Sequence, residues 1–334
     1  MTFSKGAVSR MLVRTSMAVL VLLALVAPLH QASAQTKYPG KPVRIVLPFA
    51  AGGVADITAR VIAERLSVKL DGRFYVENQP GAGGIAAART VISSQPDGHT
   101  LALLSNGTAV SVSLFNKLPY DPLKDFAPIS SLGYFDFIFA TSAESPFKTL
   151  ADFIAAAKAK PGSLNVGTIN VGSTQNLSAE LFKTAANLDF VIIPHRGTPE
   201  VLISTMQGNL GLMIDSYSAM KGNLADGKIR ALAATGPARS ASTPDIPTVQ
   251  ESGVANYDVV SWNALFAPSG TPPEIVKTLN QALQEILAEP DVKKRLLELG
   301  IEARASTPEE ISARLKSDID KWRNVIEKAG VQKQ

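Results

Sequence analysis

The chain of 334 residues carries 33 Lys and Arg against 29 Asp and Glu, with three His and no Cys. Without thiols, structural disulfides, thiolate metal sites and a cysteine nucleophile are excluded, and stability must come from an apolar core. The basic excess is no nucleic-acid signature either, because Lys5, Arg10 and Arg14 fall in an N-terminal leader and leave 30 basic against 29 acidic residues.

In that leader the basic residues precede an apolar run from Met17 to Leu29, and Ala32-Ser33-Ala34 follows before Gln35. The run falls short of the ~20 residues a membrane span needs, so residues 1–34 read as a secretory signal with a small-residue cleavage site. The remaining chain suffices for two domains of ordinary size.

Strand-like and helical patterns then alternate. Val43–Leu47, Phe74–Glu77 and Thr100–Leu104 read as strands separated by helices over 56–70 and 84–94, a βαβαβ order that predicts a parallel sheet with helices on both faces. Short strands at 129–132 and 137–140 carry the chain onward. A second series follows: a helix opened by Thr149-Leu150-Ala151-Asp152, strand 164–168, helix 174–186, strand 190–193, a helix capped by Thr198 with Pro199 first, and strands 210–214 and 229–234. The loop 235–247, rich in Gly, Pro and Ser, ends this unit, and 258–266 reads as a strand returning to the first sheet. Thr271-Pro272-Pro273-Glu274 and Thr307-Pro308-Glu309-Glu310 each predict a capped amphipathic helix. The expected organisation is a first lobe of residues 35–140 plus 248–334, with a second lobe, 141–247, inserted in it.

In parallel α/β sheets ligands sit at the C-terminal strand edges, and the polar and glycine-rich stretches fall there. Pro48-Phe49-Ala50-Ala51-Gly52-Gly53-Val54-Ala55-Asp56 links the first strand to a helix. Two glycines leave the main chain open to a ligand, and unpaired N–H groups at a helix start favour an anion. Equally, Gly52 and Gly53 turn the chain and Asp56 caps the helix. Ser105, Asn106 and Thr108 follow the third strand as a polar turn with hydroxyl and amide donors. Gly172, Ser173 and Thr174 repeat the strand, small-residue loop, helix pattern in the second unit. His195 and Gly197, in Pro194-His195-Arg196-Gly197, and Asp215 end two further strands. His195 would donate to a carboxylate or stand at the rim; Asp215 would accept from a ligand or fix a loop.

Gly81-Ala82-Gly83-Gly84-Ile85-Ala86 matches G-x-G-x-x-A formally. The next strand ends in Leu104, Ser105 and Asn106 rather than an acidic ribose partner, so no nucleotide, and no cofactor of any kind, is expected. No G-x-S-x-G elbow and no clustered metal-ligand spacing occurs, which argues against an enzyme.

Together, Pro48-Phe49-x-x-Gly52-Gly53-x-x-Asp56, Glu77-Asn78-x-Pro80-Gly81-Ala82-Gly83-Gly84, Pro96-Asp97-Gly98, Ser145-Pro146-Phe147-Lys148-Thr149-Leu150 and the Pro-x-Arg-Gly turn at Pro194 resemble the Bug-type periplasmic receptors of the tripartite tricarboxylate transporter family. The resemblance spans nearly the whole chain after the leader. It implies a type II periplasmic binding-protein fold, two α/β lobes with a ligand cleft between them. It further implies a monomeric, non-enzymatic receptor that captures a small organic carboxylate and delivers it to inner-membrane permease subunits. A ligand sensor feeding a signalling partner, or a secreted enzyme acting on a carboxylate, is the alternative. In the family picture the loop from Phe49 to Asp56 meets the carboxylate partly through waters, and the Ser173-Thr174 and His195–Gly197 loops close from the other lobe. Gln79, His99 and His195 depart from the common pattern; only the last is expected within the pocket.

Overall fold

The computed structural model describes residues 38–334, which form one compact unit; the secretory-signal reading therefore lies outside the described residues. Ten strands and the helices between them build a mixed α/β architecture. The first parallel group is β1 (Val43–Leu47), β2 (Phe74–Asn78) and β3 (Thr100–Ser105), in the order β2-β1-β3. A second comprises β5 (Asn165–Ile169), β6 (Val191–His195) and β7 (Leu212–Ser216), in the order β6-β5-β7.

These groups are not joined as one parallel sheet. β9 (Val260–Pro268) lies antiparallel to β3, and β4 (Phe126–Ser142) lies antiparallel to β9. The two short strands expected at 129–132 and 137–140 are a single strand of 17 residues. From Phe126 to Asp136 β4 pairs with β9, while β10 (Glu302–Ala303) meets it at Gly133 and Tyr134. From Phe137 onward it pairs with β7, and with β8 (Ile229–Ala234) from Ile138. One continuous strand therefore belongs to both halves and changes all its neighbours between Asp136 and Phe137. This is the two-lobed type II periplasmic binding-protein fold, in which a parallel group on either side is completed by antiparallel crossing strands.

The strands of the first half are covered on both faces, and the core on one of them runs on into the second half through Phe139, Phe182 and Leu212. Val43, Ile45, Leu47, Leu101, Leu103 and Leu265 pack beneath the helices Val54–Lys69 and Pro273–Ala288. On the other face of the same strands, Val46, Ala102, Leu104, Trp262 and Phe266 pack with the C-terminal helix Pro308–Ala329. The alternation follows from the period of two along a strand covered on both sides. The C-terminal helix carries Ile311, Leu315, Ile319, Trp322 and Ile326 on one buried face. Its Asp318 accepts from Trp262 Nε1 at 2.6 Å and from Arg314 Nε at 2.8 Å, so a buried carboxylate is paired rather than bare.

The capping chemistry differs from expectation at two helices. Thr149 and Thr307 form full capping boxes with Asp152 and Glu310. Thr198 does not cap: Gly197 takes that position, and the Thr198 hydroxyl donates to Asp215 instead. Thr271 likewise spends its hydroxyl on Pro268 O at 2.8 Å, leaving Pro272 before the helix with no side-chain cap. Three helices escape the sequence patterns, Asn106–Leu114, Tyr217–Ala225 and Pro290–Leu297. The first holds glycine, serine and β-branched residues in place of good helix formers, and packing rather than propensity fixes it.

Candidate ligand cleft

The loop after β1 is held by its own helix and by the second strand. Asp56 accepts from Gly52 N at 2.9 Å, from Asn78 Nδ2 at 2.9 Å and from Arg60 Nε at 3.0 and 3.1 Å. Asn78 Nδ2 also donates to Phe49 O at 3.0 Å. Burial opposes ionisation of Asp56, yet the hydrogen bonds from Arg60, Gly52 N and Asn78 outweigh it and hold the carboxyl below the usual carboxylate range. Asp56 therefore shapes the loop and does not line the cleft. Gly52 has φ +88°, a left-handed conformation that favours glycine, whereas Gly53 is extended with φ −83°. Gly53 stands at the N-cap of the helix Val54–Lys69, and no side chain caps that helix. Its first-turn N–H groups are left for something outside the chain.

At the end of β7, Asp215 is buried. Gln175 Nε2 donates to it at 3.1 Å, Ser216 N at 2.7 Å, and the Thr198 hydroxyl completes the set. Burial pushes its carboxyl above the usual range despite these donors. The helix Tyr217–Ala225 begins immediately after it, also without a side-chain cap. Two further helix starts nearby are closed, Ser105 accepting from Gly107 N at 3.1 Å and Ser173 from Asn176 N at 3.1 Å, whereas the helix Thr198–Met206 also begins without a side-chain cap.

These strand ends surround a cavity of about 500 Å³, within the range of small-ligand sites. Phe49, Gly52, Gly53, Ala55, Ser105, Gly172, Ser173, Thr174 and Asp215, all singled out from the sequence, line it. The others do not. Ala50 and Ala51 are exposed beside it, and Asp56 turns back into its loop. Asn106 is buried and engaged twice, donating to Thr174 Oγ1 at 3.0 Å and accepting from Trp322 Nε1 at 2.8 Å. Thr108 lines an adjoining cavity of about 570 Å³. His195, expected in the pocket, turns its Nδ1 to Ile193 O at 2.9 Å and is absent from the lining, as is Gly197.

Sequence reasoning missed the floor. Phe135 and Phe137 flank the point where β4 changes partners, their rings edge to face at 5.8 Å, and both line the cavity. Ser261 and Asn263 of β9, and Ser216, Ser218 and Ala219 at the helix Tyr217–Ala225, complete it. Polar residues at alternate positions of an otherwise apolar central strand were the available signal for Ser261 and Asn263. No Lys, Arg or His is among the lining residues, and Asp215 is the one ionisable group there. Among the described residues no cluster of His, Cys, Asp and Glu could hold a metal, and no helix is long and apolar enough to cross a membrane.

Two α/β lobes that share crossing strands and present helix starts to a common cavity define a solute-binding receptor. The chain belongs to the tripartite tricarboxylate transporter family of receptors, whose profile matches residues 58–331. Protein BugT of Bordetella pertussis is 30% identical over 295 residues, covering 88% of this chain and 90% of that protein. Among solved structures, Rpa4515 of R. palustris with adipate is 32% identical with a TM-score of 0.80, over 89% of this chain and all 100% of that one. MatC from Rhodopseudomonas palustris with bound malate is 33% identical with a TM-score of 0.75, over 86% and 100%. The periplasmic binding protein BugD has a TM-score of 0.76 at 31% identity, over 89% and 100%.

Proposed function

We propose that this receptor works in the periplasm, binds a small organic carboxylate in the cavity between its lobes, and delivers it to the permease subunits of a tripartite tricarboxylate transporter. The observation that carries the ligand class is the pairing of helix starts without side-chain caps, at Val54, Thr198 and Tyr217, with a lining that holds no cationic side chain. Main-chain N–H groups and hydroxyls can then meet the carboxylate, as charge-assisted hydrogen bonds do elsewhere at helix N-termini. Two solved relatives hold the dicarboxylates adipate and malate, which supports the same class here.

The sequence divides the lobes as 35–140 with 248–334, and 141–247. The exchange of β4 partners after Asp136 and the return of the chain into β9 at Val260 favour crossings at those two points instead, with residues 137–140 and 248–259 in the second lobe. Closing the lobes on a ligand removes water from the cleft, strengthens the hydrogen bonds there, and gives the permease a closed form to recognise. A monomer suffices for this.

The test is a thermal-shift screen of the protein without residues 1–34 against mono-, di- and tricarboxylates, followed by recovery of the bound acid. Stabilisation by at least one acid, recovered chemically unchanged, is expected. No stabilisation by any acid rejects the ligand class, and conversion of the acid rejects the receptor in favour of an enzyme.

A further inference from the structure

Four asparagines are buried among the described residues: Asn106, Asn176, Asn263 and Asn280. Asn106 is engaged at both ends, as above. Asn176 accepts from Gly172 N at 3.1 Å and donates to Thr168 Oγ1 at 3.3 Å. Asn280 Nδ2 donates to Ile129 O and Ser306 O, each at 2.8 Å, and its Oδ1 accepts from Gln284 at 2.8 Å. Asn263 alone is different: it is 1% exposed, and its Nδ2 has no hydrogen-bond partner.

Its position gives that unpaired donor a purpose. Asn263 sits in the middle of β9, opposite Ser105 of β3 and Gly133 of β4, on a strand otherwise filled by Trp262, Ala264, Leu265 and Phe266. An amide here is costly to the unliganded fold, because a buried donor stripped of water gains nothing until it is paired. The other unpartnered buried atoms belong to His99, Ser113 and Asp258, none of which lines the cavity; Asn263 does.

We propose that Asn263 is a specificity-determining ligand contact, its Nδ2 donating to an oxygen of the bound acid. This rests on the carboxylate-receptor reading. A neutral N–H selects an acceptor, so Asn263 retains acids that place a carboxylate, carbonyl or hydroxyl oxygen against β9. It discriminates against acids whose body is purely apolar at that point, because they leave the amide unpaired.

Two variants test this by calorimetry and thermal shift, using whichever acid stabilises the wild-type protein most. Asn263→Leu removes an unsatisfied donor, so the unliganded protein is expected to melt at or above the wild-type temperature while Kd rises at least tenfold. Asn263→Asp places a carboxylate where the donor was. Its Kd, taken as a ratio to wild type at the same pH so that any titration the two proteins share cancels, is expected to rise more at pH 7.5 and to recover toward wild type at pH 5 as the new carboxyl gains a proton to donate, a reversal that a merely structural role would not produce. Binding by both variants within twofold of wild type at both pH values overturns the proposal, as does failure of both to fold. If only Asn263→Leu fails to fold, the pH reversal in Asn263→Asp decides. If no acid stabilises the wild type, the receptor's ligand class falls, and this inference with it. If the wild type responds and both variants respond equally, only the role of Asn263 is lost.

Discussion

Trp322 Nε1 donates to Asn106 Oδ1 at 2.8 Å, and the same amide passes its own donor to Thr174 Oγ1 at 3.0 Å. All three residues are buried. The C-terminal helix, the helix start after β3 and the helix start after β5 are thereby tied at one side chain. The second half of the chain is joined to the first not only by crossing strands but by this amide beside the cavity.

Replacing Asn106 with Leu removes an acceptor and a donor while keeping the volume similar. Trp322 Nε1 would be left buried without a partner, and the expected loss is roughly 2–4 kcal/mol of unfolding free energy. Urea titration followed by tryptophan fluorescence measures it. A loss below about 0.5 kcal/mol would mean that the bridge adds nothing to the fold.

Gly53 separates ligand binding from folding. Its φ of −83° suits any residue, and a Cβ placed there meets nothing within 4 Å. Gly53→Val should therefore leave the melting temperature of the unliganded protein within about 2 °C of wild type. The added side chain stands beside the uncapped helix start, so stabilisation by the acid is expected to vanish. Undiminished stabilisation would place the ligand elsewhere. Gly172 offers the contrast: it has φ +77°, and a Cβ there would lie 2.2 Å from Leu114 Cδ2, so Gly172→Ala is expected to lower the melting temperature itself.

Much of this site was legible in the chain because it is local. A strand, two small residues and a helix pattern mark a helix start at a strand end without knowledge of the rest of the fold, and Gly52, Gly53, Ser173 and Thr174 all fall in the lining for that reason, although Ser173 closes its own helix start where Gly53 leaves its start open. The long-range parts were not legible. Nothing near Asn106 in sequence announces Trp322, so an amide available on paper is consumed in the folded chain. Nor does local pattern reveal that Phe135 and Phe137 lie on one uninterrupted strand, because Gly133 and Asp136 break the apolar run between two segments that each resemble a short strand. His195 looked like a ligand contact from its place after β6, but Ile193 O in its own strand takes its ring nitrogen.

Asp215 should make binding depend on pH. It faces a cavity without cations, and burial raises its carboxyl above the usual range. Below that raised value the group is neutral; as the pH climbs through it, a negative charge appears beside the bound anion. Affinity for the acid is therefore expected to fall with rising pH, by about tenfold for a charge pair in a partly screened cleft. In Asp215→Asn the decline should disappear. Calorimetry on both proteins over the pH range in which the fold persists checks it, and parallel profiles would show that Asp215 is not felt by the ligand.

Asp136 should govern stability as the pH rises through about 7. It is the last β4 residue paired with β9, and Gly236 packs so closely on it that a Cβ there would lie 2.6 Å from Asp136 Oδ2. Burial first, then the charges of Asp258 and Glu302, push its carboxyl up to about 7. A carboxyl whose folded value exceeds its unfolded one contributes stability that is fully present below the unfolded value of 3.8 and lost as the pH rises through about 7. Linkage sets an upper limit of about 4 kcal/mol, and solvent reaching this half-buried group reduces the expected change to roughly 2 kcal/mol. Asp136→Asn keeps the shape and cannot ionise, so urea unfolding at pH 5 and pH 8.5 should show wild type losing the share of that change lying above pH 5, roughly 1 kcal/mol, relative to the variant. Equal losses in the two proteins would mean that the charge at the strand's change of partners is already compensated.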